Sequence, residues 1–250
     1  ARLFQSCAVK SLRLPSNTSA SQTIRLEAVT TNSTRHDTKT SHHFESRYVI
    51  AADGANGVVA KLVGLRPTRD LAVAIEIEFP YDWLSARSND LQPDIMHLEY
   101  GALRNGYGWI FPKKDHLNIG AGIFYPKGQS PKASGESVNK ILKEVIVGYL
   151  NTFNLTYRWE DLVFRAHPLP IWSGKEALQT PDDRVLLVGD AAGLVGPMFG
   201  DGILHALKSG EIAAQSIIKQ ETARYTQHVH DYYADNLDTA RRLSTRLIRF

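Results

Sequence analysis

The stretch VLLVGDAAGLVGPMFGDGI, residues 185–203, most constrains how this chain folds. It begins with an apolar run that is typical of a buried parallel strand, and the run ends at Gly189-Asp190. A loop of small residues containing Pro197 follows, and Gly200-Asp201-Gly202 opens a helix predicted over 201–219. Because the loop has almost no bulky side chains, a ligand can approach its backbone closely. The stretch predicts a ligand site, with an ordinary glycine-rich strand–loop–helix unit as the alternative.

The same stretch indicates which chemistry such a site would serve. Asp190 is expected at the tip of the strand, where its carboxylate can accept hydrogen bonds from ligand hydroxyls. The helix directs its unpaired N–H groups and the positive end of its dipole to the same side, which favours negative charge there. Asp201 is predicted to be the N-cap of this helix. These features suit a ligand with a polyol and a site of developing negative charge.

A second stretch, YVIAADGANGVVAKLVGL at 48–65, repeats this order of elements. A short apolar strand at 48–52, predicted to be covered on both faces, runs into Asp53-Gly54, and a helix is predicted over 56–63. The carboxyl ends of parallel strands lie at one side of an open sheet. Together the two stretches predict one ligand contacted by two strand ends.

The remaining pattern predicts an α/β fold in which the two covered parallel strands carry an inserted antiparallel sheet. Residues 126–135 read as a linker of glycine, proline and serine. Strands are predicted at 22–31, 39–45, 71–79, 94–100, 106–112 and 116–124, an extended segment at 165–171, and helices at 136–150 and from about 222 onward. The predicted domain boundaries are 1–66, 67–172, 173–220 and 221–250.

These motifs resemble those of FAD-dependent oxidoreductases with the aromatic-hydroxylase-like fold, and more narrowly those of geranylgeranyl reductases. YVIAADGANGVVAK is similar to the DG motif of that family, and VLLVGDAAGLVGPMFGDGILHALKSG is similar to its GD motif. GYGWIFPKKDHLNIGAGI, at 106–123, resembles the Y-x-W-x-F-P motif of the reductases and the V/I-G-x-G strand that follows it. The resemblance extends from about residue 8 to residue 250.

The resemblance implies FAD as cofactor and NADPH or NADH as reductant. It places Asp190 at the ribityl chain or pyrophosphate of the flavin, and the backbone N–H groups around Gly200–Ile203 at the N1/O2 edge of the ring. The implied cofactor-binding residues are Asp53, Gly54, Gly189, Asp190, Ala191, Pro197, Gly200, Asp201, Gly202 and Ile203. The implied wall of a pocket for an apolar isoprenoid substrate consists of Tyr107, Trp109, Phe111 and Pro112.

The sequence also departs from the family pattern. Gly57 stands where the DG motif usually has Ser, Lys61 where it usually has Arg, and Asp201 replaces the commoner Glu. None of the 18 glycines forms the G-x-G-x-x-G turn that binds the FAD pyrophosphate. We therefore expect an incomplete FAD-binding Rossmann-like domain with a C-terminal helical region, which needs a missing N-terminal segment for FAD and is inactive alone.

Charge and composition exclude other classes of partner. A net charge of +3 without a basic stripe gives no reason to expect nucleic acid. The 9 histidines show no metal-binding spacing, so no metal site is predicted. Arginines alternate with apolar residues over 241–250, which predicts either a core-packed helix with a solvated side or a basic face for an anionic bilayer. The expected location is accordingly cytoplasmic or peripheral to a membrane.

Three functions remain open on the sequence alone. The first is reduction of isoprenoid C=C bonds. The second is a flavin monooxygenase or halogenase of the same fold, which shares the DG and GD motifs but lacks the W-x-F-P pattern. The third is an inactive remnant or an incomplete gene model. No catalytic residue is assigned, although His97, Glu99 and Tyr100 are candidates for a proton donor or are ordinary polar residues.

Overall fold

The computed structural model describes residues 2–15, 22–32, 38–66, 70–85, 90–124 and 137–247. The chain divides into two compact units. The first unit comprises Ala1–Arg69, Trp172–Val195 and Asp201–Asp238. The second unit comprises Asp70–Ile171, Gly196–Gly200 and Thr239–Phe250.

The first unit contains a three-stranded antiparallel sheet and a parallel pair of strands. The antiparallel sheet consists of β1 (Cys7–Arg13), β2 (Ile24–Asn32) and β3 (Thr38–Ser46). The parallel pair consists of β4 (Val49–Ala51) and β10 (Val185–Leu187), with Ala51 opposite Leu187. The predicted parallel pairing of the two apolar runs is therefore confirmed.

The side chains of the two parallel strands are not equally buried. All of β10 is buried, as the continuous apolar run predicts. The prediction that β4 is covered on both faces is wrong, because Ile50 is 41% exposed. Within the described sheet β4 pairs with β10 alone and forms its edge, so an apolar side chain there is left partly open.

Two helices and most of a third, up to Asp238, complete the first unit, and their starts differ from the sequence prediction. They are α1 (Val59–Leu62), α3 (Ile203–Ile218) and α4 (Tyr225–Leu247). The first of them is shorter than the predicted 56–63, and α3 begins two residues after the predicted start. Their buried side chains pack with those of β10 in one hydrophobic core that includes Val59, Leu186, Ala213, Tyr225 and Val229.

The second unit is built on a five-stranded antiparallel sheet with the order β6-β7-β8-β5-β9. Its strands are β5 (Leu71–Pro80), β6 (His97–Glu99), β7 (Gly106–Pro112), β8 (His116–Phe124) and β9 (Arg165–Pro170). This confirms the inserted antiparallel sheet and extends it by β9, the segment predicted only as extended. The predicted linker at 126–135 lies outside the described residues.

One face of this sheet is covered by the helix α2 (Val138–Thr152). Apolar residues recur on α2 at helical spacing, and they form a core with alternate residues of the strands. This core includes Ile75, Ile77, Ile119, Leu142, Ile146 and Leu150. Because strand side chains alternate between faces, the residues between these core positions belong to the opposite face. None of the helices among the described residues is long and apolar enough to cross a membrane.

Candidate cofactor and substrate site

The end of β10 turns sharply into the loop that the sequence singled out. A 3₁₀ turn spans Gly189–Ala192, and the N–H of Gly189 donates to the Ser209 hydroxyl at 2.9 Å. Gly189 has a φ of +54°, and a Cβ there would lie 2.9 Å from the Cβ of Ala206. Glycine is therefore required at this position both by its backbone conformation and by the close approach of α3.

A buried arginine holds this loop, and no sequence motif identifies it. The Arg66 side chain is 1% exposed and forms an ion pair with Glu176 at 2.9 Å. Its guanidinium also donates to the carbonyl oxygens of Asp190, at 3.3 Å, and Ala191, at 2.9 Å. A Cβ at Gly193 would lie 2.1 Å from Arg66 Nη2, so the guanidinium occupies the space that this glycine leaves. The small residues of the loop thus leave room for an internal cation.

Asp190 keeps its carboxylate half-buried beside the start of α3. A Cβ at Gly202 would lie 3.4 Å from Asp190 Oδ1, so the carboxylate faces the glycine that precedes the helix. Burial raises the pKa of the Asp190 carboxyl above its ordinary value of 3.8, and the positive charge of Arg66 offsets part of that rise. A desolvated carboxylate of this kind is ready to accept hydrogen bonds from hydroxyl groups of a ligand.

The start of α3 corrects the predicted role of Asp201. The N-cap is Gly202, and no side chain forms a capping hydrogen bond there. Asp201 Oδ2 instead lies 3.0 Å from Nε2 of His205, one turn along the helix. The two groups are close but not aligned as a hydrogen bond, so their attraction needs a protonated imidazole. The first turn, which starts at the exposed Ile203, therefore keeps N–H groups that a negatively charged ligand edge can satisfy.

The DG stretch ends beside the GD stretch, as predicted for two parallel strands. The N–H of Val188 donates to the carbonyl of Ala51 at 3.0 Å, so the two strands deliver their carboxyl ends to one sheet edge. The exposed Asp53 uses its carboxylate within its own stretch, where it accepts the N–H of Val59 at 3.0 Å. A Cβ at Gly57 would lie 2.2 Å from Asp53 Cγ, which accounts for glycine at the position that is usually Ser.

Gly54 and the buried Ala191 occupy these same two turns. Gly54 has a φ of +75° and nothing within 4 Å of an added Cβ, so it leaves open space next to Asp53. Ala191 is 1% exposed and presents its carbonyl to Arg66. The turn that follows β10 is therefore braced from within, whereas the turn that follows β4 is open.

The next part of the GD stretch, Gly196–Gly200, belongs to the second unit. There the Tyr107 hydroxyl donates to the carbonyl of Phe199. Gly200 has a φ of +68°, and its Cβ would lie 3.3 Å from Leu169 Cδ1 and 3.7 Å from the Tyr107 hydroxyl. Pro197 is buried in the same segment. The structure thus brings Gly200, predicted to bind cofactor, next to the strand predicted to bind substrate.

Aromatic rings cover the face of the sheet opposite α2, and we call this surface the aromatic face. The rings of Tyr107 and Trp109 have centroids 5.8 Å apart, and those of Trp109 and Phe111 have centroids 5.9 Å apart. Phe124 on β8 extends the row, 6.1 Å from Tyr107. The three aromatic residues of β7 lie two positions apart along the strand and therefore share one face of the sheet. By strand alternation Pro112 lies on the opposite face, so the structure does not bring it together with the three rings.

The three candidates for a proton donor lie on different faces of this sheet. His97 and Glu99 alternate with Leu98, which pairs with Trp109, so they lie on the α2 side of the sheet. There the Tyr149 hydroxyl donates to Glu99 at 3.0 Å, and the His97 ring packs against Phe153 with centroids 5.3 Å apart. Tyr100 joins the aromatic face, 5.4 Å from Tyr107.

Comparison with known proteins identifies the family. A profile described as FAD binding domain matches residues 16–246. The chain belongs to the FAD-binding domain family. Two curated relatives are reductases of geranylgeranyl compounds. The chloroplastic geranylgeranyl diphosphate reductase of Arabidopsis thaliana is 32% identical over 192 residues, which cover 73% of this chain and 36% of the relative. Digeranylgeranylglycerophospholipid reductase 1 of Methanopyrus kandleri is 28% identical over 219 residues, which cover 82% of this chain and 54% of the relative.

A solved structure supports the same fold. The geranylgeranyl bacteriochlorophyll reductase-like protein of Thermoplasma acidophilum superposes with a TM-score of 0.69 at 17% identity, covering 98% of this chain and 58% of that one. The chain therefore spans between about a third and about half the length of the two curated relatives. Sequence and fold together confirm the resemblance to geranylgeranyl reductases.

The residues of the first unit fit FAD. The uncapped first turn of α3 suits the electron-rich edge of a flavin ring, and it contains no acidic residue that would repel it. The half-buried Asp190 suits hydroxyl groups such as those of the ribityl chain. Gly202 keeps a side chain away from the backbone between these two groups, since an added Cβ there would lie 3.4 Å from Asp190 Oδ1. In contrast, Asp53 and Asp201 each engage a neighbour within their own segment.

Proposed function

We propose that the complete enzyme reduces C=C bonds of an isoprenoid chain, with FAD as cofactor and NADPH or NADH as reductant. The observation that carries the proposal is the contact within the second unit between the aromatic face and the GD segment, made by Tyr107 with Phe199 and Gly200. That segment begins six positions after Asp190 in the sequence, and we assign Asp190 to the flavin. Tyr107, Trp109 and Phe111 would then wall the pocket that binds the isoprenoid substrate.

Each group of residues has a distinct part in this proposal. Bound FAD would supply the hydride chemistry, taking a hydride from the nicotinamide and passing it to one carbon of the double bond, while the other carbon would receive a proton from a separate donor. The first-turn N–H groups of α3 stabilise negative charge on that ring, and Asp190 accepts hydrogen bonds from its ribityl chain. The aromatic face binds an apolar chain through large, rigid surfaces and excludes water from the reacting bond.

Two observations favour this function over a flavin monooxygenase or halogenase. The three stacked or tilted rings of the aromatic face, Tyr107, Trp109 and Phe111, suit a chain without a polar handle near the reacting bond. In addition, both curated relatives described above have names that specify reduction of geranylgeranyl groups. The particular isoprenoid differs between those two names, so the proposal extends to the class of substrate and not to one compound.

We also propose that FAD is held tightly only with a segment that these 250 residues do not include. The sequence has no G-x-G-x-x-G turn, and the relatives are longer than the chain. Losing that turn removes the strongest contacts to the pyrophosphate, while the cost of ordering the cofactor remains. The 250-residue chain purified alone is expected to carry far less than one FAD. A yellow, stoichiometric complex of this chain would contradict the proposal and would also remove the reason to consider it inactive.

Trp109→Ala in the complete enzyme tests the assigned substrate site. FAD content is expected to stay at the wild-type value, because Trp109 lies outside the segments assigned to the cofactor. Reduction of a geranylgeranyl substrate is expected to fall by roughly 100-fold or more, since positioning supplies much of the lowering of the barrier. NADPH oxidation with oxygen as acceptor serves as the control and should persist. Wild-type isoprenoid turnover in this variant would return the aromatic face to a purely structural role.

A further inference from the structure

A buried asparagine bonds the central ring of the aromatic face. The indole Nε1–H of Trp109 donates to Oδ1 of Asn118 at 2.7 Å. Trp109 is 8% exposed and Asn118 is 7% exposed. A hydrogen bond shielded in this way is costly to break, because the freed indole N–H would remain buried without a partner. The bond therefore fixes the rotation of the indole about its side-chain torsions.

Two carboxylates fix the orientation of the asparagine itself. Nδ2 of Asn118 donates to Oε2 of Glu76 and to Oε1 of Glu78, both at 3.1 Å. The indole N–H can only donate, so the oxygen of the amide must face Trp109 and its NH2 end must face the two carboxyl groups. The hydrogen-bonded chain thus has one consistent arrangement, in which the amide cannot exchange its two ends.

A glycine supplies the space for the ring. Gly120 lies opposite Trp109 in the strand register, and a Cβ there would be 2.1 Å from Trp109 Cζ2. The indole therefore lies flat over the backbone of β8. Gly122, two residues along the same face, differs: a Cβ there would meet only ordinary contacts, the nearest 3.6 Å from the carbonyl oxygen of Val73. Only the first of the two glycines is needed for the position of the ring.

We propose that Asn118 is a positioning residue, which together with Gly120 holds the Trp109 indole in the orientation that binds the isoprenoid chain. The inference rests on the proposed function, because it concerns the same substrate wall. Glu76 and Glu78 act one step further away, by orienting the amide. Since an isoprenoid has no polar group near the reacting bond, the fixed ring plane is what defines its path.

A double-mutant cycle in the complete enzyme separates positioning from simple support of the sheet. Asn118→Leu in the wild-type background is expected to weaken geranylgeraniol binding about tenfold, the equivalent of about one hydrogen bond. In a Trp109→Phe background, which has no indole N–H, the same change should alter binding by less than about twofold. Binding is measured by calorimetry on apoenzyme and holoenzyme, with FAD content and melting temperature recorded for every variant.

The outcomes separate this inference from the proposed function. An equal loss in both backgrounds would show that Asn118 only joins β5 to β8, and would overturn the inference while leaving the function intact. Failure of the folded wild-type holoenzyme to bind or reduce geranylgeranyl compounds would overturn both. A loss of binding on Asn118→Leu that occurs only in the background containing Trp109 supports both the inference and the proposed function.

The glycine pair gives a second test that does not depend on Asn118 variants folding. Gly120→Ala is expected to move the Trp109 indole, shift its Nε1–H resonance and weaken geranylgeraniol binding by roughly tenfold or more, because a methyl group cannot share the ring's position. Gly122→Ala is the matched control and should bind within about twofold of wild type, since its methyl group meets only ordinary contacts. Equal binding by the two folded variants would contradict the proposed positioning.

Discussion

The two strand ends of the first unit have nearly the same sequence pattern but differ in how they use their aspartates. After β4, the Asp53 carboxylate accepts the N–H of Val59 and so organises the start of its own helix. After β10, the carboxylate of Asp190 is half-buried, and desolvation and the charge of Arg66 determine its pKa. A local hydrogen bond commits the first aspartate to its own stretch, whereas we propose that the second accepts hydrogen bonds from a ligand. The partner of the carboxylate, more than the motif, separates the two roles.

The largest effect is expected from removing the arginine that braces the second strand end. Arg66→Met deletes a buried cation that bonds Glu176 and two loop carbonyls, and should lower the free energy of unfolding by about 3–5 kcal/mol. The control is Arg25→Met, whose ion pair with Glu45 has exposures of 67% and 59%. That change should cost at most about 1 kcal/mol. Urea unfolding of the apoenzyme, followed by tryptophan fluorescence, measures both. Equal losses would show that Arg66 does not brace the loop.

That arginine also shows where prediction from sequence stops. The apolar run of β10, the glycines after it and the one-sided rings of β7 could be predicted because each depends on neighbours a few positions away. Arg66 meets Asp190 across 124 positions of the chain, and nothing in the local sequence marks the contact. The same holds for Asn118, which bonds Glu76 from another strand.

Errors in the sequence prediction have a related cause. Asp201 is a residue type that often caps helices, but here the N-cap is Gly202. The carboxylate of Asp201 lies beside His205 instead. Pro112 belongs to the recognised motif, but strand alternation sends it to the other face. Ile50 reads as a core residue, but its strand forms the edge of the described sheet. In each case a motif predicted the element, while tertiary position decided the role of one residue.

The second-largest expected effect tests directly whether the two aspartates differ in role. Asp190→Ala in the complete enzyme should weaken FAD binding by roughly 10- to 100-fold, because charge-assisted hydrogen bonds contribute about 1.5–3 kcal/mol. Asp53→Ala should weaken it much less, since that carboxylate already bonds Val59, and should instead cost about 1 kcal/mol of stability. Flavin fluorescence titration and thermal unfolding measure the two quantities. If both variants lost FAD to the same extent, the distinction between the strand ends would fail.

The smallest expected effect is a decrease in the free energy of unfolding of the apoenzyme, caused by the burial of the Asp190 carboxylate. Burial raises the pKa of its carboxyl above 3.8, so the folded state keeps a proton that the unfolded chain releases as the pH rises from 3.8. Stability contributed by this group therefore falls with rising pH until the raised pKa is passed, and the loss persists at neutral pH. Asp190→Asn has no such proton to lose, so its apoenzyme should be more stable than wild type at pH 7. The advantage should shrink as the pH approaches 3.8, while FAD binding is weakened throughout. Urea midpoints across this pH range measure the difference. A constant difference would show that the carboxyl titrates alike in folded and unfolded chains, and that burial at this strand end has no cost.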